Sequence, residues 1–174
     1  MLRRTPAGAK ALVPDDERLL AWGTVGVAQE SYAVATDRAL YIPVPDVAHS
    51  VGTSAPVGLV RIPWEGVTKA TWDDDFVLVV EGRTEGSARD SAWRVRLHDP
   101  RSLPTVVYER VTSMIVVSER VNLVGEAGAR IVGRRAGDGI RWTVTFDPGL
   151  NPADPELRRR ADGALADLRA TWGL

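Results

Sequence analysis

The sequence predicts an α+β fold: an antiparallel sheet of short strands capped by a helix, followed by a C-terminal extension of strand, hairpin and helix. Three observations predict it. Between residues 18 and 97, short apolar runs rich in β-branched side chains recur with turn-forming residues between them. Residues 102–111 and 154–172 switch to the 3.6-residue period of a helix with one apolar stripe. Between those two helices, residues 129–135 and 140–147 read as a hairpin around Gly137, Asp138 and Gly139.

Taken in order, residues 1–14 carry Pro6, Gly8 and Pro14 without an apolar period and read as a flexible arm. Residues 18–23, closed by Gly23, give the first strand. Residues 32–36 and 39–44 are the arms of a hairpin about Thr36, Asp37 and Arg38, whose side chains suit a chain reversal. A two-residue loop at Asp37 and Arg38 sets Ala33 opposite Ile42, Val34 opposite Tyr41 and Ala35 opposite Leu40. A three-residue loop with a bulge would shift that register. Small residues against large ones on one face suit a curved sheet or barrel interior. Residues 46–58 hold Pro, Gly, Ser and His without periodicity and form a long loop, a class that is either mobile or functional.

Residues 59–62 return to strand character before Pro63, which lacks an amide donor and marks an edge or a break. Strands at 67–72, 76–81 and 92–97 follow, divided by Asp73, Asp74 and Asp75 and by the polar stretch 82–91. Ser102 then caps a helix bearing Leu103, Val106, Val107 and Val111, with Pro104 tolerated in its first turn. Residues 114–123 read as a strand, with continuation of the helix to Val117 as the competitor. The last helix has the clearest signals: Asp154 as cap, Pro155 at its first position, and Leu157, Ala161, Leu165, Leu168 and Trp172 on one stripe.

Composition excludes several classes of chemistry. The 174 residues include no cysteine, which removes disulfides, thiolate metal sites and cysteine nucleophiles and suits a cytoplasmic setting. With 22 basic and 23 acidic residues, no global field draws nucleic acid or an anionic membrane, and neither partner is expected. No stretch reaches the roughly 18 apolar residues of a membrane span, and the N-terminus lacks the apolar core of a secretory signal. His49 and His98, the only imidazoles, stand apart and suggest no metal or general-base site. Asp73 to Asp75 lack the alternating ligands and glycine of a calcium loop. Nucleophile-elbow, phosphate-loop and dinucleotide motifs are missing. The expectation is therefore a non-enzyme with no catalytic, cofactor or metal residues.

The densest basic runs are Arg134 with Arg135 and Arg158 to Arg160; the triplet shares its helix with Glu156, Asp162 and Asp167 and reads as a solvated face. Six tryptophans, at positions 22, 64, 72, 93, 142 and 172, are first of all core material. Trp64, placed after Pro63 at a break in the sheet, is the one singled out for binding. Arg38 and Tyr41 of the hairpin complete the candidate binding set.

The run Thr36, Asp37, Arg38, Leu40 and Tyr41, followed by Ile62, Pro63, Trp64, Glu65 and Val67, resembles the pleckstrin-homology-like (PH-like) superfamily in its bacterial and GRAM-type branch. The resemblance covers about residues 15–112 and implies a PH-like antiparallel β-barrel or sheet capped by a helix, with 113–174 as an extension packed on it. Lipid-binding members of that superfamily use several basic residues around the first hairpin, and between Arg18 and Arg38 there are none. The whole chain is also similar to a family of small proteins from GC-rich bacteria that carries no implied activity. These readings lead to a binding or scaffolding module that engages a protein or peptide through a sheet edge or the groove beside the Leu103 helix. The alternative is a small-molecule or lipid-contacting domain with a pocket under the 46–58 loop. Homo-oligomerisation through the edge of the C-terminal hairpin is a further expectation.

Overall fold

The computed structural model describes residues 5–25, 31–45, 57–87, 89–137 and 139–173. The chain divides into two compact units, Met1–Thr112 and Ser113–Leu174. The first contains a short helix α1 (Ala7–Ala11), then β1 (Leu19–Val25), β2 (Ser31–Thr36), β3 (Ala39–Pro45) and β4 (Val57–Pro63). A single 3₁₀ turn (Trp64–Gly66) leads into β5 (Val67–Trp72), β6 (Val77–Gly82), β7 (Ser91–Asp99) and helix α2 (Leu103–Ser113). The seven strands form one antiparallel sheet in the order β4-β3-β2-β1-β7-β6-β5.

That sheet is open, and the barrel allowed for by the sequence is not formed. Strands β4 and β5 are consecutive in the chain yet stand at opposite ends of the order. Pro63 enters the 3₁₀ turn in an extended conformation and has no amide to continue a ladder, so strand pairing stops there. At the far side of the turn the backbone is close: a Cβ on Gly66 would strike the carbonyl of Arg83, and one on Gly82 would strike that of Gly66.

The hairpin between β2 and β3 takes the two-residue loop, with Val34 opposite Tyr41 and Ala35 opposite Leu40. Residues 32–36 of β2 are buried without a break, so the strand is covered on both faces and its alternation is hidden. Part of that cover comes from a segment expected to be a flexible arm. Residues 7–11 are helical instead, and Ala9 packs with Tyr32, Val34, Ala39 and Tyr41, with Leu12, Val13, Leu19 and Trp22 around them. The reason is fit: Pro6 starts the helix, and Gly8 lies so close to the Tyr32 ring that a Cβ there would approach Cε2 to 2.8 Å. Trp22 meets Tyr32 edge to face at 5.7 Å and carries the Arg101 guanidinium 3.8 Å above its ring.

The second unit has three antiparallel strands, β8 (Ile115–Val124), β9 (Ala127–Ala136) and β10 (Gly139–Phe146), with β9 in the middle, and helix α3 (Pro155–Trp172). Residues 115–124 are therefore strand, and the helical alternative loses. Asp154 caps α3 by accepting from the amides of Glu156 at 2.8 Å and Leu157 at 3.4 Å. Leu157 and Ala161 pack on Leu123 and Ala129, with Val121, Val144, Phe146 and Leu150 at the margin. The apolar stripe of α3 is buried only in its first half: Leu165 and Leu168 are half-buried and Trp172 is 50% exposed. Among the described residues no helix is long and apolar enough to cross a membrane.

Candidate functional site

The candidate residues Arg38, Tyr41 and Trp64 converge on the Thr36-Asp37-Arg38 turn of the first unit, in different roles. Thr36 shapes the turn, its Oγ1 accepting from the amides of Ala39 at 2.9 Å and Arg38 at 3.2 Å. Asp37 accepts from the Arg18 amide at 2.7 Å, and its own amide donates to the Arg18 carbonyl at 3.0 Å. That backbone donor is the main reason the Asp37 carboxyl lies below its ordinary pKa. Trp64 is 3% exposed, and its Nε1 donates to the Thr36 carbonyl at 2.9 Å. Its ring is committed to the core, which leaves no indole surface to present to a partner. Arg38 is exposed and pairs with Asp16 at 2.7 Å, an exposed pair that contributes little to stability.

Two residues not singled out by the sequence organise this region. Glu17, in the segment before β1, has a side chain only 3% exposed. Its carboxylate accepts from Thr36 Oγ1 at 2.5 Å, from Tyr41 Oη at 3.0 Å and from Arg61 Nη2 at 2.9 Å. Arg61 stands directly opposite Tyr41 in the β3–β4 ladder, and its Nε donates to Tyr41 Oη at 3.0 Å. A further contact runs from Arg61 Nη1 to Glu85 at 3.3 Å. Burial works against the Glu17 charge, but hydrogen bonds from Thr36, Arg61 and Tyr41 together outweigh it and lower its pKa. The Glu17 hydrogen bond raises the Arg61 pKa, and burial raises that of Tyr41.

Chemically this network is closed. Among the described residues every buried side-chain nitrogen and oxygen has a partner, and the Glu17 oxygens face donors of the protein itself. The arrangement locks residues 16–18 onto the hairpin. A local signal for Glu17 was lacking because its three partners lie 19 to 44 residues away. Arg61 could have been found from the β3–β4 register, which places it beside Tyr41.

The remaining candidates take ordinary places. Asp73 Oδ1 closes the β5–β6 turn by accepting from the amides of Asp75 at 3.1 Å and Val77 at 2.8 Å. His98 is exposed on β7, whereas His49 and most of the 46–58 loop, with the pocket expected under it, lie outside the described residues. Arg158 donates to the Pro152 carbonyl at 2.7 Å, and Arg159 and Arg160 both pair with Glu156.

One surface feature that can accept a partner is the outer edge of β5, one of the two ends of the seven-strand order. The Asp73 amide donates to the Val77 carbonyl, and Thr71 and Lys69 stand opposite Val79 and Glu81 in the same register. Alternation therefore turns the amides of Ala70 and Trp72 away from β6. Since β5 ends the strand order, these groups face no strand among the described residues. Lys69 is the kind of edge charge that discourages unspecific pairing. Compared with family models, curated proteins and solved structures, the chain matches none.

Proposed function

We propose that this chain is a non-catalytic binding module, PH-like in its first unit, which takes up an extended segment of a protein partner as an added strand along β5. The observation that carries the reading is the unpaired outer edge of β5, where outward backbone groups can supply affinity and alternate side-chain positions selectivity. The strand order, with β1 beside β7 and α2 directly after β7, supports the PH-like assignment. The closed Glu17 network supports a scaffolding rather than a reactive role for the turn chemistry at Thr36 to Arg38.

Selection of displayed peptides on the immobilised full chain tests this reading, with Ala70→Pro as the comparison. That substitution removes one outward amide and is tolerated best on an edge strand. Enrichment of extended peptides that bind the parent chain and not the folded Ala70→Pro variant is the expected result. Failure to enrich any peptide, or equal binding by the variant, overturns the proposal.

A further inference from the structure

The last three strands of the seven-strand sheet carry unlike chemistry on their two faces, right up to the edge at β5. Directly opposed residues of an antiparallel ladder share a face, and neighbours along a strand do not. Across β5, β6 and β7 the register therefore puts the rows Ala70, Val80, Trp93 and Trp72, Leu78, Val95 on one face. Val80, Leu78 and Val95 are buried, so this is the core side. The other face carries Thr71, Val79 and Arg94 in one row and Lys69 with Glu81 in the next. Lys69, Thr71 and Arg94 are exposed, which makes it the outer side, and Arg96 shares it two residues further along β7.

On the core side the edge is apolar and uneven. Ala70 offers only a methyl group where Trp72, two residues on and on the same face, offers an indole, and both are half-buried. An apolar side chain opposite Ala70 on an added strand has that indole as its diagonal neighbour, within reach of an aromatic ring. On the outer side the balance of charge is positive. Among the described residues, no ion pair or side-chain hydrogen bond engages the guanidinium of Arg94 or of Arg96. Lys69 has one contact, with Glu81 at 3.4 Å, between side chains 59% and 46% exposed, and such a pair holds only weakly. Strands lie about 4.8 Å apart, so an added strand stands about 14 Å from Arg94, with the short side chains of Thr71 and Val79 between. A carboxylate and a guanidinium leaning toward each other over those two residues come well within the Debye length of ~10 Å at 0.1 M salt.

We propose that the segment taken up by β5 is an acidic, amphipathic strand in which carboxylates alternate with apolar residues. Its carboxylates lie on the side of Lys69, Arg94 and Arg96, and its apolar residues lie over Ala70 beside Trp72. The inference rests on the added-strand reading of β5 and supplies the chemistry of the ligand. Alternation is what the edge demands, because successive side chains of an added strand fall on opposite faces of the sheet. A continuous polyanion fits less well. Glu81 sits within the outer face, and the exposed Asp73, Asp74 and Asp75 follow β5 directly, so a phosphate backbone running along the edge meets like charge. Carboxylates at every second position of a peptide can face Lys69 and Arg94 and stop short of the aspartates.

Fluorescence anisotropy of the full chain with three labelled synthetic peptides of equal length tests the proposal: one alternating Glu and Val, its counterpart with Lys for Glu, and one with the Glu and Val residues regrouped into blocks. The alternating Glu peptide is expected to bind about tenfold more tightly than the other two at ~50 mM salt, with the gap to the Lys peptide narrowing toward ~500 mM. Arg94→Gln combined with Arg96→Gln is expected to close most of that gap, whereas Ala70→Pro is expected to remove binding of all three. If the double variant fails to fold by circular dichroism, Arg94→Gln alone carries the comparison. Equal binding of the three peptides by the parent chain, lost in folded Ala70→Pro, leaves the edge reading standing and overturns this one. No binding of any peptide overturns both. An undiminished preference for Glu in the folded glutamine variant overturns the proposal, and so does unlabelled duplex that competes as well as the Glu peptide, which would assign the face to polyanions.

Discussion

In the first unit Arg61 lies against Glu17 at 2.9 Å with Tyr41 sharing its donors; in the second, Arg134 faces Arg141 and Arg120 faces Arg130 across neighbouring strands. The same residue type meets opposite surroundings. Arg61 is matched by a carboxylate inside the protein, so its charge is spent on joining segments distant in the chain. The arginines of β8, β9 and β10 stand opposite like charge across the ladder, and Arg120 among them is held by Asp147 at 2.7 Å. Where a guanidinium completes an internal network it joins distant segments, and where two stand opposite each other in a ladder their repulsion has to be offset by other contacts.

The largest test of this contrast is Glu17→Ala. It strips the acceptor from Thr36, Tyr41 and Arg61 together, and a loss of about 2 to 4 kcal/mol in urea unfolding of the first unit is expected. A loss below about 0.5 kcal/mol would show the network to be incidental and break the comparison. The pH dependence follows from the same residue. Because the folded Glu17 pKa is depressed, its contribution is fully present above the ordinary carboxyl value of 4.5 and is lost as pH falls through the lower folded value. The unfolding midpoint of the first unit should therefore drop in that acid range. In Glu17→Gln that part of the profile should flatten.

Trp64→Phe keeps an aromatic ring in the core but removes the Nε1 hydrogen bond to Thr36, and a cost of about 1 kcal/mol is expected. Loss of peptide binding without loss of stability would show that the ring serves a partner after all. Smallest is Arg141→Thr. It removes the like-charge pairing with Arg134, so stability of the second unit should change by no more than about 0.5 kcal/mol. A clear destabilisation in thermal melting would make Arg141 architectural, like Arg61, and erase the distinction between the units.

Much of the fold was legible because its signals are local. The Asp154 cap and Pro155 start of α3, the two-residue loop at Asp37 and Arg38, and the break at Pro63 each express the preferences of a few adjacent residues. The helix at 7–11 was missed because its stability comes from the fit of Ala9 and Gly8 against Tyr32, which no local period announces. Trp64 was singled out for its place after Pro63 at a break in the sheet, and its burial against the Thr36 turn was not legible, since a sequence does not distinguish a buried indole from an exposed one. Glu17 left no trace at all: it is one charged residue among Asp15, Asp16 and Arg18 until folding brings its partners to it.

By itself the sequence determined the antiparallel strands, the turns between them, the caps of the last helix and the lack of cysteine chemistry, all properties of neighbouring residues or of composition. Only the tertiary structure decided that the sheet stays open at β4 and β5, which carboxylate Arg61 meets, and which arginines share a face. Those outcomes depend on strand order and register, where a shift of one residue turns every side chain to the other face. Arg134 and Arg135 are adjacent in the chain and so point to opposite faces of the sheet; the structural neighbours of Arg134 are instead residues 115 and 141, on the strands to either side.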